Sequence, residues 1–215
     1  MAQISQGSRV QRVPVWSGRL RLLHWLLAAA VLFMLATGFL LGADLLPFDR
    51  RRILDVHVNM GYVAFSLVVL RLLLLVGGAR TDHWRDLVAI PRQGAGITAM
   101  LRFYLSLGRA PMPVYYGHNP LWGPLYLLLL GLLVAQSLTG IAGGGPWHAL
   151  GYGVILLLVA AHLVAVLLHD WRGTAAEISA MVNGSKVFVV EPPAAHEAPP
   201  GDSVQVTLDL PRRPE

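Results

Sequence analysis

The 215-residue sequence contains no cysteine. That excludes disulfides, thiolate-held iron–sulfur clusters and covalent haem attachment through C-x-x-C-H. Any haem in this chain is therefore held by side chains without a covalent link. Charge is scarce too, at 13% of residues against 55% hydrophobic. A soluble domain carries charge on about a quarter of its residues, so composition points to a membrane protein. Acidic residues are the rarer sign, 12 against 17 Lys+Arg. A basic balance can signal nucleic acid, but these arginines gather at the ends of apolar runs. Membrane topology accounts for them better, and no nucleic-acid partner is expected.

Four apolar runs are present, roughly Leu22–Gly42, Val56–Gly78, Leu121–Ala142 and Trp147–Leu168. Each has the ~20 residues of helix that a ~30 Å hydrocarbon core requires. The first, third and fourth contain no Asp, Glu, Lys or Arg, and the second carries only Arg71. The first is too long for a signal-peptide core and lacks a small-residue cleavage site after it, so it counts as a span. Arg9, Arg12, Arg19 and Arg21 precede it, and Arg80, Arg85, Arg92, Arg102 and Arg109 lie in the long connection between runs two and three. Arg50, Arg51 and Arg52 in the first short loop are partly offset by Asp44, Asp49 and Asp55, and the last loop, Gly143–Pro146, has no charge. The expectation is an all-α, antiparallel bundle of four transmembrane helices with both termini in the cytoplasm.

The long connection offers Gly96–Leu107 as a short helix on the membrane surface. Asn119-Pro120 reads as an N-cap followed by Pro at the first helical position. Ala175–Val182 suggests a short amphipathic piece after the fourth span. Residues 1–186 thus form one membrane domain, and the Pro-rich 187–215 segment reads as a disordered tail in which Ser203–Leu210 alternates like a strand. Leu35-Ala36-Thr37-Gly38 at the end of helix one echoes Ser137-Leu138-Thr139-Gly140 at the end of helix three, an echo that similar packing needs would explain.

His148 and His162 lie fourteen residues apart on the fourth run. That spacing puts both rings on one face, within about 40° of each other and roughly 21 Å apart along the axis. Ionisable groups inside a membrane helix are costly, and axial ligation of two haems stacked across the bilayer explains a pair on one face. With the termini inside, His24 lies near the inner end of helix one and His57 near the outer end of helix two. Depth then pairs His24 with His162 around an inner haem, and His57 with His148 around an outer one. Polar packing or residence at the interface is the competing explanation for His24 and His57. Gly61 and Gly151 follow His57 and His148 by about a turn, and Gly38 follows His24 by fourteen residues; all three can make room for a porphyrin edge, or serve close helix packing. Arg71 near the inner end of helix two either snorkels to the headgroups or grips a haem propionate with two bonds. His169 reads as an interfacial residue beside Asp170 and Trp171, and His83 and His196 read as solvent-exposed.

Several stretches resemble the four-helix, di-haem cytochrome b subunits of bacterial membrane oxidoreductases. The resemblance is to the nickel–iron hydrogenase cytochrome b subunit and bacterial cytochrome b561 type, with formate dehydrogenase cytochromes as more distant relatives. It rests on Arg21-Leu22-Leu23-His24-Trp25, His57-x-x-x-Gly61 with Leu70-Arg71, Gly117-His118-Asn119-Pro120, His148-x-x-Gly151 with His162, and Ala180-Met181-Val182-Asn183-Gly184. The resemblance implies a multi-pass protein of the bacterial cytoplasmic (inner) membrane. It implies two non-covalent, bis-histidine haem b groups on His24, His57, His148 and His162, and electron transfer between an outer-face redox protein and quinone. It also points to Asn119, with His118, as the quinone-side residues. The hydrogenase-type subunits carry a long outer insertion where this chain has only Gly143-Gly144-Gly145-Pro146. A c-type cytochrome docking on Arg50–Arg52 is therefore an alternative to a hydrogenase-type partner. Two other readings stand beside the electron-transfer subunit: a self-sufficient oxidoreductase exchanging electrons between quinone and a small molecule, and a haem-free transporter with a histidine relay.

Overall fold

The structure is a computed structural model that describes residues 9–43, 49–78, 80–88, 93–113, 115, 117–172 and 177–190. In chain order the elements are β1 (Arg9–Pro14), α1 (Gly18–Ala43), α2 (Arg50–Gly77), a 3-10 turn (Arg80–Asp82) and α3 (Trp84–Leu87). Then come α4 (Gln93–Leu105), α5 (Trp122–Ile141), α6 (Pro146–Arg172), α7 (Glu177–Asn183) and β2 (Ser185–Val190). Among the described residues, helices α1, α2, α5 and α6 are the four long and apolar enough to cross a membrane. They coincide with the four runs read from hydropathy, with α1, α2 and α6 reaching further at their polar ends.

Neighbouring spans pack in the order α1 on α2, α2 on α5 and α5 on α6, while α6 meets α1 only lightly. The interior core comprises Leu27 and Leu35 of α1, Val68 and Leu75 of α2, Leu87 of α3, Leu130 and Leu133 of α5, and Ile155 of α6. The opposite helix faces carry exposed Leu22, Phe39, Leu73, Val76, Leu157 and Val164. So much apolar surface would be untenable in water and is what lipid contact requires.

Between α2 and α5 the chain makes the amphipathic helix expected there, α4, beginning slightly earlier than the sequence suggested. Asn119 acts as the expected cap: its Oδ1 accepts from the amides of Leu121 at 2.9 Å and Trp122 at 3.3 Å. Its carbonyl accepts from the Gly123 amide at 2.8 Å, although regular α-helix starts only at Trp122.

One feature differs from the sequence expectation. Residues 187–190, read as the start of a tail, continue β2, which pairs antiparallel with β1 from Arg9↔Val190 to Pro14↔Ser185. The amides of Val15 and Trp16 extend this join by donating to the Gly184 carbonyl at 2.8 and 2.9 Å. Gly184 makes that turn at φ 88°, in the left-handed region that favours glycine. The Ser203–Leu210 segment lies outside the described residues.

Candidate functional site

The four histidines meet in the two pairs expected from depth. The rings of His24 on α1 and His162 on α6 meet edge-on with centres 6.5 Å apart. The rings of His57 on α2 and His148 on α6 do so at 6.2 Å. An imidazole nitrogen bound to a metal at about 2 Å puts its ring centre about 3 Å from the metal, so two axial ligands on one metal have centres about 6 Å apart. Both pairs match that separation.

The donor sets narrow the kind of metal group further. No cluster of three or more His, Cys, Asp or Glu residues suited to a metal ion exists among the described residues. Two imidazoles alone leave a bare ion short of ligands. They suffice where a macrocycle supplies the other four positions, as a porphyrin does. Each pair spans from α6 to α1 or α2, the side on which α6 is least closely packed.

At the His57–His148 end, Thr37 Oγ1 lies 2.7 Å from His57 Nδ1, and Thr139 Oγ1 lies 3.1 Å from His148 Nδ1. Glycine follows each threonine. A Cβ on Gly38 would sit 3.7 Å from His57 Cε1 and 3.2 Å from the Tyr152 ring. A Cβ on Gly140 would sit 3.0 Å from His148 Cε1. Gly61, in contrast, lies against Met34 of α1 at an ordinary 3.6 Å. Gly151 leaves room for Gln136, whose Nε2 donates to the His148 carbonyl at 3.0 Å. The Thr-Gly echo in the sequence thus marks the two places where one helix end rests on a histidine. Thr37, Thr139 and Gly140 were not among the expected site residues.

The His24–His162 end is polar and cationic. Arg71 is fourteen residues after His57, hence on the same face of α2 but at the opposite end. It does not snorkel: it is 1% exposed, with Nε donating to Tyr126 Oη at 2.8 Å and Nη1 to the Asp82 carbonyl at 3.1 Å. Its Nη2 has no partner. Trp16 Nε1 and Arg21 Nε are likewise buried without partners, and these three are the orphaned buried side-chain atoms among the described residues. All are donors and all belong to this end, so the site lacks an acceptor, such as a carboxylate, rather than a donor.

The structure also joins Asn119 and His169 through residues that the sequence did not connect with them. His169 is 2% exposed rather than interfacial, and sits between two tyrosines. Asn119 Nδ2 and Trp122 Nε1 each donate to Tyr104 Oη at 3.0 Å. With its lone pairs so used, Tyr104 gives its own proton to His169 Nε2 at 2.9 Å. His169 Nδ1–H then donates to Tyr115 Oη at 3.1 Å, and Tyr115 donates to Glu177 at 3.1 Å. Glu177 pairs with buried Lys186 at 2.9 Å. Burial pushes the Tyr104 hydroxyl up to about 12 and the Tyr115 hydroxyl higher still, so both stay protonated. The chain ends beside the histidine pair, where the Trp122 ring meets His162 edge-on at 5.5 Å.

His118 does not join a histidine pair. Its Nδ1 bonds Asp86 at 2.7 Å, and its ring packs against Trp16 and Tyr126. Burial lowers its affinity for a proton, against the opposing pull of Asp86. The hydrogen bond from His118 holds the Asp86 carboxyl below its ordinary range. Asn119 is engaged on both sides, capping α5 and holding Tyr104, with Met100 Sδ at 3.4 Å. His83 caps α3, its Nδ1 accepting from the Arg85 amide at 3.2 Å. His196 lies outside the described residues.

The family described as prokaryotic cytochrome b561 matches residues 15–184, a stretch that runs from the join before α1 to the turn before β2. The chain is similar to proteins named probable Ni/Fe-hydrogenase B-type cytochrome subunit. The protein of that name from Cupriavidus necator is 26% identical over 86% of this chain and 91% of its own length. Those from Azotobacter vinelandii and Bradyrhizobium diazoefficiens are each 27% identical over 82% of this chain, covering 89% and 86% of their own lengths. No solved structure matches.

Proposed function

Because the chain belongs to the prokaryotic cytochrome b561 family, and so is a membrane cytochrome b of electron transfer, we propose that it carries two haem b groups in series across the bilayer. His24 and His162 would hold one, and His57 and His148 the other. The single observation that carries this is the matched pair separations, 6.5 and 6.2 Å, at the two ends of one helix. Haem b, when bound, supplies one-electron transfer, and two axial histidines leave no open iron position for substrate. The residues of this chain do the rest. Thr37 and Thr139 orient one pair, while Arg71, Arg21 and Trp16 supply donors for the propionates at the other. The apolar lining of the spans keeps bulk water away from both.

On this reading the termini face the cytoplasm, in the bacterial inner membrane, because the arginines before α1 and between α2 and α5 gather at that end. Quinone exchanges electrons at the His24–His162 end, beside His118 and the hydrogen-bonded Asn119–Tyr104 pair. The partner at the opposite face is a hydrogenase-type subunit, supported by the names of the relatives. The short Gly143–Pro146 loop leaves a c-type cytochrome as the alternative there.

The test is a dithionite-reduced minus oxidised visible spectrum of the purified chain, with pyridine haemochrome stoichiometry. Two low-spin b haems per chain are expected. His162→Ala should lose the haem of its own pair and retain haem at the other. Haem-supplied, folded protein without haem would overturn the proposal, and unchanged haem content in folded His162→Ala would overturn the ligand assignment.

A further inference from the structure

We infer that Thr37 and Thr139 are positioning residues that fix the tautomer of His57 and His148 and thereby set the redox potential of that centre alone. The inference rests on the two-haem reading above and adds to it a role for residues that touch only the histidines.

The argument is an accounting of protons. Thr37 Oγ1 donates its single hydrogen back to α1, to the Phe33 carbonyl at 2.9 Å, with the Met34 carbonyl at 3.2 Å. With its hydrogen so placed, the hydroxyl faces His57 Nδ1 at 2.7 Å as an acceptor. His57 then carries its proton on Nδ1, which leaves Nε2 with a free lone pair, the form that binds a metal. Thr139 repeats the device. Its hydroxyl donates to the Ala135 and Gln136 carbonyls at 2.9 and 3.0 Å and faces His148 Nδ1 at 3.1 Å. The Gln136 carbonyl, which can only accept, lies 3.1 Å from the same nitrogen. His148 is thus also an Nδ1–H donor with Nε2 free.

The glycine after each threonine belongs to the same device. It lets the turn that carries the hydroxyl come down onto the ring, and at Gly140 a Cβ would stand only 3.0 Å from His148 Cε1. The other pair differs: among the described residues, neither His24 nor His162 has a hydrogen-bond partner for its ring. The two centres are thereby made chemically unequal. An imidazole whose N–H is held by an acceptor is a more electron-rich ligand and favours the ferric form. Removing the acceptor should raise the potential of that centre.

The experiment is a potentiometric titration, followed in the visible spectrum, of the full-length holoprotein and its Thr37→Val, Thr139→Val and Thr37→Ser variants. Thr37→Val should move one of two b-haem transitions to higher potential, or empty that one site, and leave the other where it was. Thr139→Val should act on the same transition but more weakly, since the Gln136 carbonyl still accepts from His148. Thr37→Ser, which keeps a hydroxyl, should restore the wild-type values. Folded Thr37→Val with both transitions unmoved would overturn the inference, and so would equal displacement of both, or failure of Thr37→Ser to restore. Wild-type protein without two b transitions would instead overturn the two-haem reading beneath it.

Discussion

Single residues at the polar end decide how the protein meets acid. His118 and Asp86 form one hydrogen-bonded unit, buried against Trp16 and Tyr126. Burial pushes the His118 imidazole below its ordinary 6.5, and the bond from His118 pushes the Asp86 carboxyl below its ordinary 3.8. Both groups then bind more protons unfolded than folded, His118 from near 6.5 downward and Asp86 from near 3.8 downward. Stability rises with pH wherever the unfolded chain holds more protons, so both groups make it fall as pH drops. The thermal midpoint in detergent, followed from about pH 8 to about pH 4, should stay level and then decline below about 6.5. His118→Gln should flatten the upper part of that decline, and an unchanged profile would dissociate His118 from it. The histidine pairs were legible in the sequence because helical spacing fixes the shared face of His148 and His162, and the alternating direction of the spans fixes the depths of His24 and His57. His169 was not, because its burial comes from Tyr104 and Tyr115, which reach it from the connection between the second and third spans.

Between elements, the junction of α5 and α6 is the most constrained. Gly143, Gly144 and Gly145 take φ of 99°, 82° and 100°, a run of left-handed backbone that only glycine adopts without strain. The Gly144 amide closes the turn on the Thr139 carbonyl at 2.9 Å, so the loop and the histidine contact share one residue. Gly140→Ala should therefore disturb the His57–His148 centre, since the new methyl meets the ring itself. Overpacking of this kind costs about 1–3 kcal/mol. Gly131→Ala on the same helix has nothing within 4 Å of its Cβ and should be neutral or slightly favourable. Haem content and thermal midpoint of the two variants, side by side, separate a local clash from a general helix effect. The four spans were plain from hydropathy, because lipid demands long uncharged runs. The role of Thr-Gly was visible only as an echo, since a threonine's acceptor capacity depends on where its own proton goes.

At the scale of the whole molecule, the two ends of the described chain are fastened together. Lys186 on β2 is 1% exposed, bonds the Gly117 carbonyl at 3.2 Å and pairs with Glu177 of α7 at 2.9 Å. Burial lowers its affinity for a proton, and Glu177 counteracts this. Lys186→Ala would leave Glu177 without its cation and Gly117 without its donor. Breaking a buried pair from one side costs about 3–5 kcal/mol, and partial exposure of Glu177 places the expected loss near the lower figure. The drop in thermal midpoint checks this, with Arg52→Ala, at an exposed ion pair with Asp49, as a control expected to change little. The β1–β2 pairing escaped the sequence reading because neither strand is long and each needs a partner from the other end of the chain.

That pairing also imposes a timetable. Val15 and Trp16 wait for Gly184, and the Arg21 guanidinium waits for the Val182 carbonyl, so these contacts form only after α6 has been synthesised. The His57–His148 end needs nothing beyond the first turns of α6. As the chain leaves the ribosome, one end of the bundle can be complete while the other still lacks its clasp. A nascent chain arrested just after α6 would possess both histidine pairs while the contacts of Val15, Trp16 and Arg21 with residues 182–184 were still to form.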